Sequence, residues 1–519
     1  MTDMIDVKPV VADYESLIKP DKVHSSLYAN PEIYEEELDK IFNSTWVWVG
    51  HESEVPEVGS YKTAMIGRHS VIVSRDRKKK IHVLLNRCRH RAATVCEGKR
   101  GKAKSFMCPY HGWGYSLDGA LRAIPKPEEY EGVFDKSEYP LISLRFETYQ
   151  GLIFATFNDE IEPLEDFLGG AKKWIDLFVK QGGGYPLKVL GDHRFRFPGN
   201  WKIQLENTTD AYHFPIVHKS FVTGLDDQTA EVFDFLDGEG HVEDLGNGHS
   251  VMVMIPELVD LEKDLDEPIP ERFADLAAEL AAEGHSDLEV RRMVRAVGGS
   301  GFNLNLFPNV ACSMAFFRVL APVSVNETEI HHIAIGGEGA PAPFNQMRLR
   351  LHEHFQGPMG FGSPDDAEVW ERVQRGTKGD GTIDIMVNRG LGLEETSENG
   401  LPKGDVSAET GMPMTPPSPS RSSRRRAWSS ASRPQRRRRP KAAPAMTFSV
   451  TDISGKSRTS WKVRPTPCLV TRCAGLPASS RPSSRIAPAV GAKLPEIMLI
   501  IVDLPEPLRP TSATRSPGS

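Results

Sequence analysis

The chain has 519 residues, of which 39% are hydrophobic, and its net charge is −7. This length allows two to four domains with a sizeable core. No apolar run reaches the roughly 18 residues of a membrane span, and the N-terminus lacks the basic start and apolar core of a signal peptide. Six cysteines in so long a chain do not make a disulfide scaffold, so we expect a cytoplasmic protein without a membrane partner.

The charge is unevenly distributed along the chain. Residues 412–519 contain 20 Lys and Arg against 4 Asp and Glu, a balance of +16, which leaves −23 for residues 1–411. This tail is rich in Ser, Pro and Arg and cannot bury enough apolar surface to offset its ordering entropy, so we expect it to be disordered. Its Arg436–Arg439 run would suit a nucleic acid, but a solvated run is the simpler interpretation, and we expect no nucleic-acid partner.

The first 160 residues divide into two parts. Residues 1–45 are expected to be an N-terminal helical segment, since Tyr34–Phe42 has apolar residues near helical spacing. Residues 46–160 predict a small antiparallel β domain, because β-branched runs alternate with turn signals between Ser60 and Asn86. A predicted strand at Gly151–Asn158 closes this domain.

Two cysteine–histidine pairs lie in the predicted β domain. They follow the pattern C-x-H, seventeen residues, C-x-x-H, and consist of Cys88, His90, Cys108 and His111. Two thiolates and two imidazoles are the ligands of a Rieske-type 2Fe–2S cluster. A structural zinc site with the same ligands is the main alternative. The glycine- and aromatic-rich loop after the second pair favours the cluster, since it would wrap the cluster and offer backbone N–H groups to its sulfurs.

Residues 161–411 mix strands with helices, which predicts an α+β domain with helices set against an antiparallel sheet. An amphipathic helix is predicted at Pro163–Lys180. Further strands are predicted at Ser250–Ile255, Ala311–Phe317 and Glu329–Ile335, and further helices at Pro270–Glu283 and Asp287–Val297.

Two histidines and one carboxylate of this second domain could converge on a metal ion. His213 and His218 are five residues apart, with Asp210 three residues before the first, although two histidines at a helix end would give the same spacing. Downstream, Asp365 and Asp366 begin a predicted helix, where aspartates are common as N-cap and first-turn residues. A better role exists for Asp366, because two histidines and one carboxylate form the facial triad of non-haem Fe(II) oxygenases.

From about residue 30 to 411 the chain resembles the large (α) subunit of Rieske non-haem iron, aromatic-ring-hydroxylating oxygenases of the benzoate and toluate dioxygenase type. The resemblance rests on the two cysteine–histidine pairs, on N-W-K … E-N-x2-D-x-Y-H-x4-H and on G-F-x3-D-D, in the family's order. It implies a Rieske domain beside a helix-grip catalytic domain. It also implies a trimeric α assembly, with or without a small β subunit.

The same resemblance implies a role for each candidate site residue. The cluster ligands would be Cys88, His90, Cys108 and His111, and the ligands of one mononuclear Fe(II) would be His213, His218 and Asp366. Asp210 would bridge a cluster histidine of one subunit to an iron-ligand histidine of the next, and Asn207 would lie beside the iron. A carboxylate that accepts from a ligand histidine also fixes its tautomer.

The chain departs from the family at two places. Arg91-Ala92 follows the first ligand histidine, where the family usually has Arg-Gly. From about Pro413, Pro/Ser/Arg sequence replaces the family's last helix. A frameshift in a GC-rich gene would explain that change, because off-frame translation yields such a composition.

The implied function is an oxygenase that takes electrons from NAD(P)H through a reductase, with or without a ferredoxin, and uses O2 to dihydroxylate a small aromatic substrate. The E-N-x2-D-x-Y-H spacing favours an aromatic acid of benzoate type. Pocket residues are expected from 210–225, 250–255 and 303–318, with no single arginine to name as the carboxylate partner. A monooxygenase or demethylase with the same ligands, and an electron-transfer Rieske protein without oxygenase activity, stay open.

Overall fold

The structure, a computed structural model, describes residues 14–409 with short gaps, together with residues 446–451 and 457–463. The gaps fall at residues 131, 133, 182, 224–238, 260–267, 270, 298–300, 314 and 379–382. Residues 1–13 of the predicted N-terminal segment lie outside the described residues, as does most of the predicted disordered tail.

The N-terminal segment contributes α1 (Tyr14–Leu17), β1 (Lys22–His24), α2 (Ser26–Ala29) and α3 (Pro31–Glu37). The predicted helix over Tyr34–Phe42 is confirmed, but it begins earlier, at Pro31, and ends in a π-helical turn at Leu38–Phe42. It begins there because the Asn30 side-chain oxygen accepts hydrogen bonds from two backbone N–H groups of the first turn.

Residues 46–160 form small antiparallel sheets. The strands are β2 (Val47–His51), β3 (Ser60–Ile66), β4 (His69–Arg75), β5 (Ile81–Leu85), β6 (Arg100–Lys102), β7 (Phe106–Met107), β8 (Gly114–Tyr115), β9 (Leu121–Ala123), β10 (Arg145–Tyr149) and β11 (Leu152–Thr156). They pair in the orders β5-β4-β3-β6, β7-β8-β9 and β10-β11-β2. Short 3-10 helices lie at Glu52–Glu54, Pro127–Tyr130 and Lys136–Glu138. The predicted sheet between Ser60 and Asn86 is confirmed as β3–β4–β5, and the predicted last strand is β11.

The helix predicted over Pro163–Lys180 is two helices. The structure has α4 (Leu164–Leu168) and α5 (Ala171–Lys180) instead. Gly169 separates them because its backbone takes a φ of +47°, a left-handed conformation that glycine adopts without a steric penalty. The amphipathic pattern still holds, since both helices bury apolar side chains in one core.

The second domain is built on one antiparallel sheet. The strands from residue 187 onward, in chain order, are β12 (Leu187–Phe197), β13 (His241–Gly246), β14 (His249–Val253), β15 (Phe302–Leu306), β16 (Val310–Ser313), β17 (Phe316–Ser324), β18 (Glu327–Gly337), β19 (Asp384–Met386), β20 (Glu395–Thr396), β21 (Pro402–Asp405), β22 (Met446–Thr451) and β23 (Ser457–Val463). All of them except β19 belong to this sheet. In the described residues the order is β20-β21-β13-β14-β15-β16-β17-β18-β12-β22-β23, while β19 pairs with β1.

The strands predicted at Ser250–Ile255 and Glu329–Ile335 are confirmed as β14 and β18. The single strand predicted at Ala311–Phe317 is wrong. Strands β16 and β17 form a hairpin there, with Ser313 opposite Phe316. The run is apolar on both sides of the turn, so its hydrophobicity does not mark where the chain reverses.

Further helices of the second domain follow α5 among the described residues. They are α6 (Trp201–Asn207), α7 (Phe214–Val217), α8 (Lys219–Thr223), α9 (Pro256–Val259), α10 (Ala274–Ala282), α11 (Asp287–Val297), α12 (Ala342–Gln356) and α13 (Ser363–Thr377). The helices predicted at Pro270–Glu283 and Asp287–Val297 are confirmed as α10, which follows a 3-10 turn at Glu271–Phe273, and α11. The expected α+β class is therefore confirmed. Among the described residues, no helix is long and apolar enough to cross a bilayer.

The small β domain is joined to the large sheet by buried polar contacts. Trp48 of β2 donates its backbone N–H to Oδ1 of Asn309 at 2.9 Å, and Nδ2 of Asn309 donates to the Trp48 carbonyl at 3.0 Å. Both groups are buried, so neither contact competes with water. These reciprocal bonds fix β2 against the loop between β15 and β16.

Four charged residues form what we call the interdomain charge cluster: Glu54, Lys62, Arg100 and Asp192. Glu54 and Lys62 of the small domain pair at 2.6 Å, and both side chains are at most 5% exposed. Arg100 of β6 pairs with Asp192 of β12, which is 1% exposed on its side chain. The Arg100–Asp192 ion pair therefore links the two domains, and its carboxylate is shielded from solvent.

Part of the tail forms a hairpin at the edge of the large sheet. Residues 449–451 of β22 pair with residues 192–194 of β12, and β23 pairs with β22. Disorder was expected here, so these two strands differ from the prediction. Their sequences are rich in Thr, Ser, Val and aromatic residues, which favour strands, whereas the Arg- and Pro-rich runs of the tail lie outside the described residues.

Candidate functional site

The predicted cluster ligands come from two loops of the small β domain. Cys88 and His90 lie after β5, and Cys108 and His111 lie in the turn between β7 and β8. Both cysteines are buried. The imidazole rings of His90 and His111 have centroids 4.5 Å apart. Two separate loops thus present one thiol and one imidazole each to the same region.

The two ligand loops share one backbone pattern. The N–H of Ala92 donates to the Cys88 carbonyl at 2.9 Å, and the N–H of Gly112 donates to the Cys108 carbonyl at 3.0 Å. In both loops the residue four positions after the cysteine is left-handed, with φ of +60° at Ala92 and +70° at Gly112. Alanine therefore occupies a conformation that glycine adopts more easily, which gives the Arg91-Ala92 departure a physical meaning.

The polar atoms of this site fit an iron–sulfur cluster. Nδ1 of His90 and Nδ1 of His111 are buried and have no hydrogen-bond partner among the described residues. In the same part of the chain, the four predicted ligands do not bring three ligand atoms together as a single metal ion requires, and that observation counts against a tetrahedral zinc site. The Tyr115 hydroxyl lies 3.3 Å from the Cys88 sulfur, where it can donate to a thiolate.

The second group of predicted ligands is assembled by three helices. Asn207 ends α6, His213 and His218 flank α7, and Asp366 lies in the first turn of α13. Nε2 of His218 is 3.2 Å from Oδ1 of Asp366, and Nε2 of His213 is 3.4 Å from the same oxygen. The three ligand atoms lie within 4.8 Å of one another, which suits one metal ion.

Burial and charge act together at this site. Burial alone would raise the pKa of Asp366, but hydrogen bonds with His213 and His218 hold it well below its usual value. Burial opposes the charged form of His213, yet its contacts with Asp210 and Asp366 raise its pKa to about 9. A bound metal would have to displace that proton, because a histidine binds metal through a deprotonated nitrogen.

Asn207 and Asp210 lie beside the two histidines. Nδ2 of Asn207 is 3.2 Å from Nε2 of His213 and 3.4 Å from Oδ1 of Asp366. Oδ2 of Asp210 is 3.2 Å from Nδ1 of His213. The distance suits a hydrogen bond, but the angle between the two groups does not. The Asp210 side chain remains 32% exposed. One carboxylate thus touches the back of a predicted ligand and also reaches the surface.

Asp365 points elsewhere. Its Oδ2 accepts from the Ser220 hydroxyl at 3.2 Å, at an exposed position. The cap position of α13 is Gly362, so neither aspartate is an N-cap residue. Of the two aspartates, Asp366 is the one that faces His213 and His218.

One polar residue near this site was not singled out from the sequence. Arg318 of β17 is 6% exposed, and its Nη1 donates to Oγ1 of Thr208, the residue after Asn207, at 3.2 Å. It is the last residue of the 303–318 stretch, which is expected to line part of the substrate pocket. The available signal was a lone arginine within the apolar run F-F-R-V-L, where a charge is costly to bury without a function.

Comparison with known proteins agrees with the two-domain organisation. A Rieske [2Fe-2S] domain model matches residues 45–143, and a model of the ring hydroxylating alpha subunit (catalytic domain) matches residues 186–404. Together these domains imply a Rieske cluster and a mononuclear iron, with electrons that come from NAD(P)H through a reductase.

Among curated relatives, the anthranilate 1,2-dioxygenase large subunit of Acinetobacter baylyi is 32% identical over 379 residues, which cover 69% of this chain and 78% of that protein. The toluate 1,2-dioxygenase subunit alpha of Pseudomonas putida is 29% identical, over 72% of this chain and 84% of that protein. Among solved structures, naphthalene 1,2-dioxygenase from Rhodococcus sp. bound to indole is 27% identical, with a TM-score of 0.62 over 75% of this chain and 91% of that one. The chain therefore belongs to the Rieske non-haem iron, aromatic-ring-hydroxylating dioxygenases, as a large (α) subunit.

Proposed function

We propose that this α subunit adds both atoms of O2 to the ring of an aromatic acid of the benzoate type. The observation that carries the proposal is the convergence of Nε2 of His213, Nε2 of His218 and Oδ1 of Asp366 within 4.8 Å. Two imidazoles and one carboxylate leave open positions on a non-haem iron. The benzoate type is supported by relatives named for anthranilate, toluate and 2-halobenzoate, all of which are aromatic carboxylates.

We assign a role to each residue of the two sites. Cys88, His90, Cys108 and His111 hold the 2Fe–2S cluster, and His213, His218 and Asp366 hold the mononuclear iron. When bound, the cluster supplies single electrons and the iron supplies the place where O2 is reduced beside the substrate. The buried orphan Nδ1 atoms of the two cluster histidines support the first assignment.

Asp210 and Asn207 position the iron ligands. The Asp210 carboxylate, 3.2 Å from Nδ1 of His213, favours the tautomer whose Nε2 is free for the metal. The Asn207 amide lies within 3.4 Å of two ligand atoms and limits where they can move. Because Asp210 is also partly exposed, it can meet a cluster histidine of a neighbouring subunit. We therefore propose a trimeric α assembly in which electrons cross between subunits.

The domain boundaries belong to the same proposal. Residues 46–160 carry the cluster and residues 161–411 the mononuclear iron, with 1–45 as an N-terminal helical segment and 412–519 as an appended tail. The composition change at residue 412 follows shortly after the end of the catalytic-domain match at residue 404, which supports the last boundary.

Isotopically labelled O2 tests the reaction. With a surrogate reductase, NADH and benzoate, we expect a cis-dihydrodiol that carries two labelled oxygen atoms. A product with one labelled atom, or the release of formaldehyde from a methoxylated acid, would identify a monooxygenase or demethylase instead. Electron consumption without an oxygenated product from any arene would indicate an electron carrier.

The iron content tests the ligand assignment. The intact chain should bind three iron atoms, two of them in the cluster. The Asp366→Asn variant should bind two, because it loses one anionic ligand of the mononuclear iron. Asp365→Asn is the matched control and should still bind three, since its side chain contacts Ser220 rather than the histidines. Equal iron contents in the two variants would refute the assignment of Asp366.

A further inference from the structure

One row of side chains crosses the sheet on the face that carries α6. The register places Asn305, Ala311, Arg318, His332 and His193 opposite one another on successive strands β15, β16, β17, β18 and β12. Every member of the row is buried. Alanine, the smallest of these side chains, adjoins the arginine on the side of β15.

Arg318 is a buried cation with neutral hydrogen-bond partners. Its Nε donates to Nε2 of His332 at 3.1 Å, and its Nη1 donates to Oγ1 of Thr208 at 3.2 Å. Within the described part of the chain its guanidinium forms no salt bridge, and its hydrogen bonds are those of Nε and Nη1. Burial lowers its pKa to about 10, so the side chain is still protonated at neutral pH.

The groups around Arg318 do not offset its charge. Burial lowers the pKa of His193 to about 4 and that of His352 to about 3, and it lowers the pKa of His332 further below its usual value. All three imidazoles are therefore neutral at pH 7. Asp366 is the carboxylate whose charge reaches Arg318, and it already faces His213 and His218. A buried unpaired charge is strongly destabilising unless an anion joins it.

Arg348 shows what a structural arginine looks like in the same domain. It is also buried, but its Nε donates to the Ile335 carbonyl at 3.1 Å and its Nη1 donates to the Gln181 carbonyl at 3.5 Å. These two backbone carbonyl oxygens hold the guanidinium of this α12 residue in place. Arg318 instead directs one donor toward the helix end where Asn207 meets the candidate iron ligands.

We propose that Arg318 binds the carboxylate of the aromatic substrate and so selects aromatic acids over neutral arenes. This inference rests on the proposed function, because it supplies the acid-binding group of the same site. A guanidinium donates two parallel hydrogen bonds to a carboxylate. Its hydrogen-bond partner Thr208 directly follows Asn207, whose amide contacts His213 and Asp366, so Arg318 would hold the carboxylate on the side of the sheet where the candidate iron ligands lie.

Binding measurements on the full-length holoprotein test the proposal without turnover. Calorimetric titrations with benzoate, and separately with the neutral isostere benzamide, are compared for the wild type, Arg318→Gln and Arg318→Lys. We expect Arg318→Gln to weaken benzoate binding by about 10- to 100-fold, the worth of a lost charge-assisted pair, and to leave benzamide binding unchanged. Arg318→Lys keeps the charge without the planar fork and should be intermediate. Arg196→Gln, which changes an exposed arginine of β12, is the control and should bind both ligands as the wild type does.

The visible spectrum of the cluster and the melting curve confirm that each variant is folded. If Arg318→Gln is unstable, Arg318→Lys still decides the question through its ratio of benzoate to benzamide affinity. If the ratio of benzoate to benzamide affinity is the same in both variants as in the wild type, the role of Arg318 is overturned, while the oxygenase function stays intact. A wild-type protein that binds and oxidises toluene but not benzoate would overturn the acid substrate class itself.

Discussion

Ala92 has a left-handed backbone in the first ligand loop, at the position that corresponds to Gly112 in the second loop. A side chain in this conformation costs about 1 kcal/mol relative to glycine. Ala92→Gly should therefore stabilise the loop by about that amount and raise the temperature at which the visible absorbance of the cluster disappears. Ala93→Gly is the control, and it should be neutral or destabilising because residue 93 is not left-handed. A lower midpoint for Ala92→Gly would contradict the strain argument.

Asp210 is the residue whose proposed role extends beyond its own chain. Asp210→Ala should keep all three iron atoms, while O2-coupled turnover falls by about 100-fold, at the upper end of what the loss of a partner to a ligand histidine costs. Rapid mixing separates the steps: the reductase should reduce the cluster at the normal rate, and reoxidation by substrate and O2 should be slow. Asp365→Ala should change neither rate. Turnover of Asp210→Ala close to the wild-type rate would show that the bridging role is wrong.

The site residues differ in how far the sequence predicts them. His213, His218 and Asp366 can be identified because their spacing and order follow the family pattern, although the last two are 148 positions apart. Arg318 cannot, because a single arginine in an apolar strand does not reveal which face it occupies. Its partners come from β18 and from the end of α6, so only the strand register brings them together.

His249 links three elements of the catalytic domain. Its Nδ1 accepts from the Phe307 backbone N–H at 3.0 Å, and its Nε2 donates to the Phe167 carbonyl at 3.0 Å. It thereby connects β14 to the end of β15 and to α4. Protonation of Nδ1 would break the first of these bonds. Burial disfavours the charged imidazole and lowers the pKa of His249 to about 4.

This shift predicts the direction of one pH effect. The unfolded chain binds a proton at His249 near pH 6.5 and the folded chain only near pH 4, so the contribution to stability is complete above pH 6.5 and is lost as the pH falls toward 4. Between pH 7.5 and pH 5 the loss from this residue should be about 2 kcal/mol. Urea unfolding of the wild type and of His249→Gln at both pH values isolates it, since other buried histidines act in both proteins. Equal pH slopes would contradict the argument.

At the level of elements, local pattern predicts most strands and helices and misses the places where the chain turns within an apolar run. The hairpin of β16 and β17 lies inside one hydrophobic stretch, and the break between α4 and α5 depends on one glycine conformation. Neither feature changes the periodicity that identifies the elements. Helix α13 carries local signals, with a proline and two aspartates in its first turn and two i,i+4 ion pairs, and its start is where the sequence predicts a helix.

For the whole chain, the abrupt change near residue 412 leads to a genetic prediction. If a frameshift produced residues 412–519, another reading frame of the same DNA should encode an amphipathic helix like the one that ends the family's catalytic domain. A chain truncated after residue 411 should then retain its iron and its turnover, despite the loss of β22 and β23. The absence of such a helix from both other frames would rule the frameshift out.

The interdomain charge cluster determines how added salt acts on this protein. Mobile ions screen exposed charges within about 8 Å at physiological ionic strength, but they barely reach buried pairs. Glu54, Lys62 and Asp192 are buried, so concentrated salt should leave the relative position of the two domains unchanged. The exposed charges of residues 1–411, whose balance is −23, have no such protection, and a separate electron donor meets the subunit at its surface. The ionic-strength dependence of turnover therefore reports on the encounter with the donor rather than on the internal geometry of the subunit.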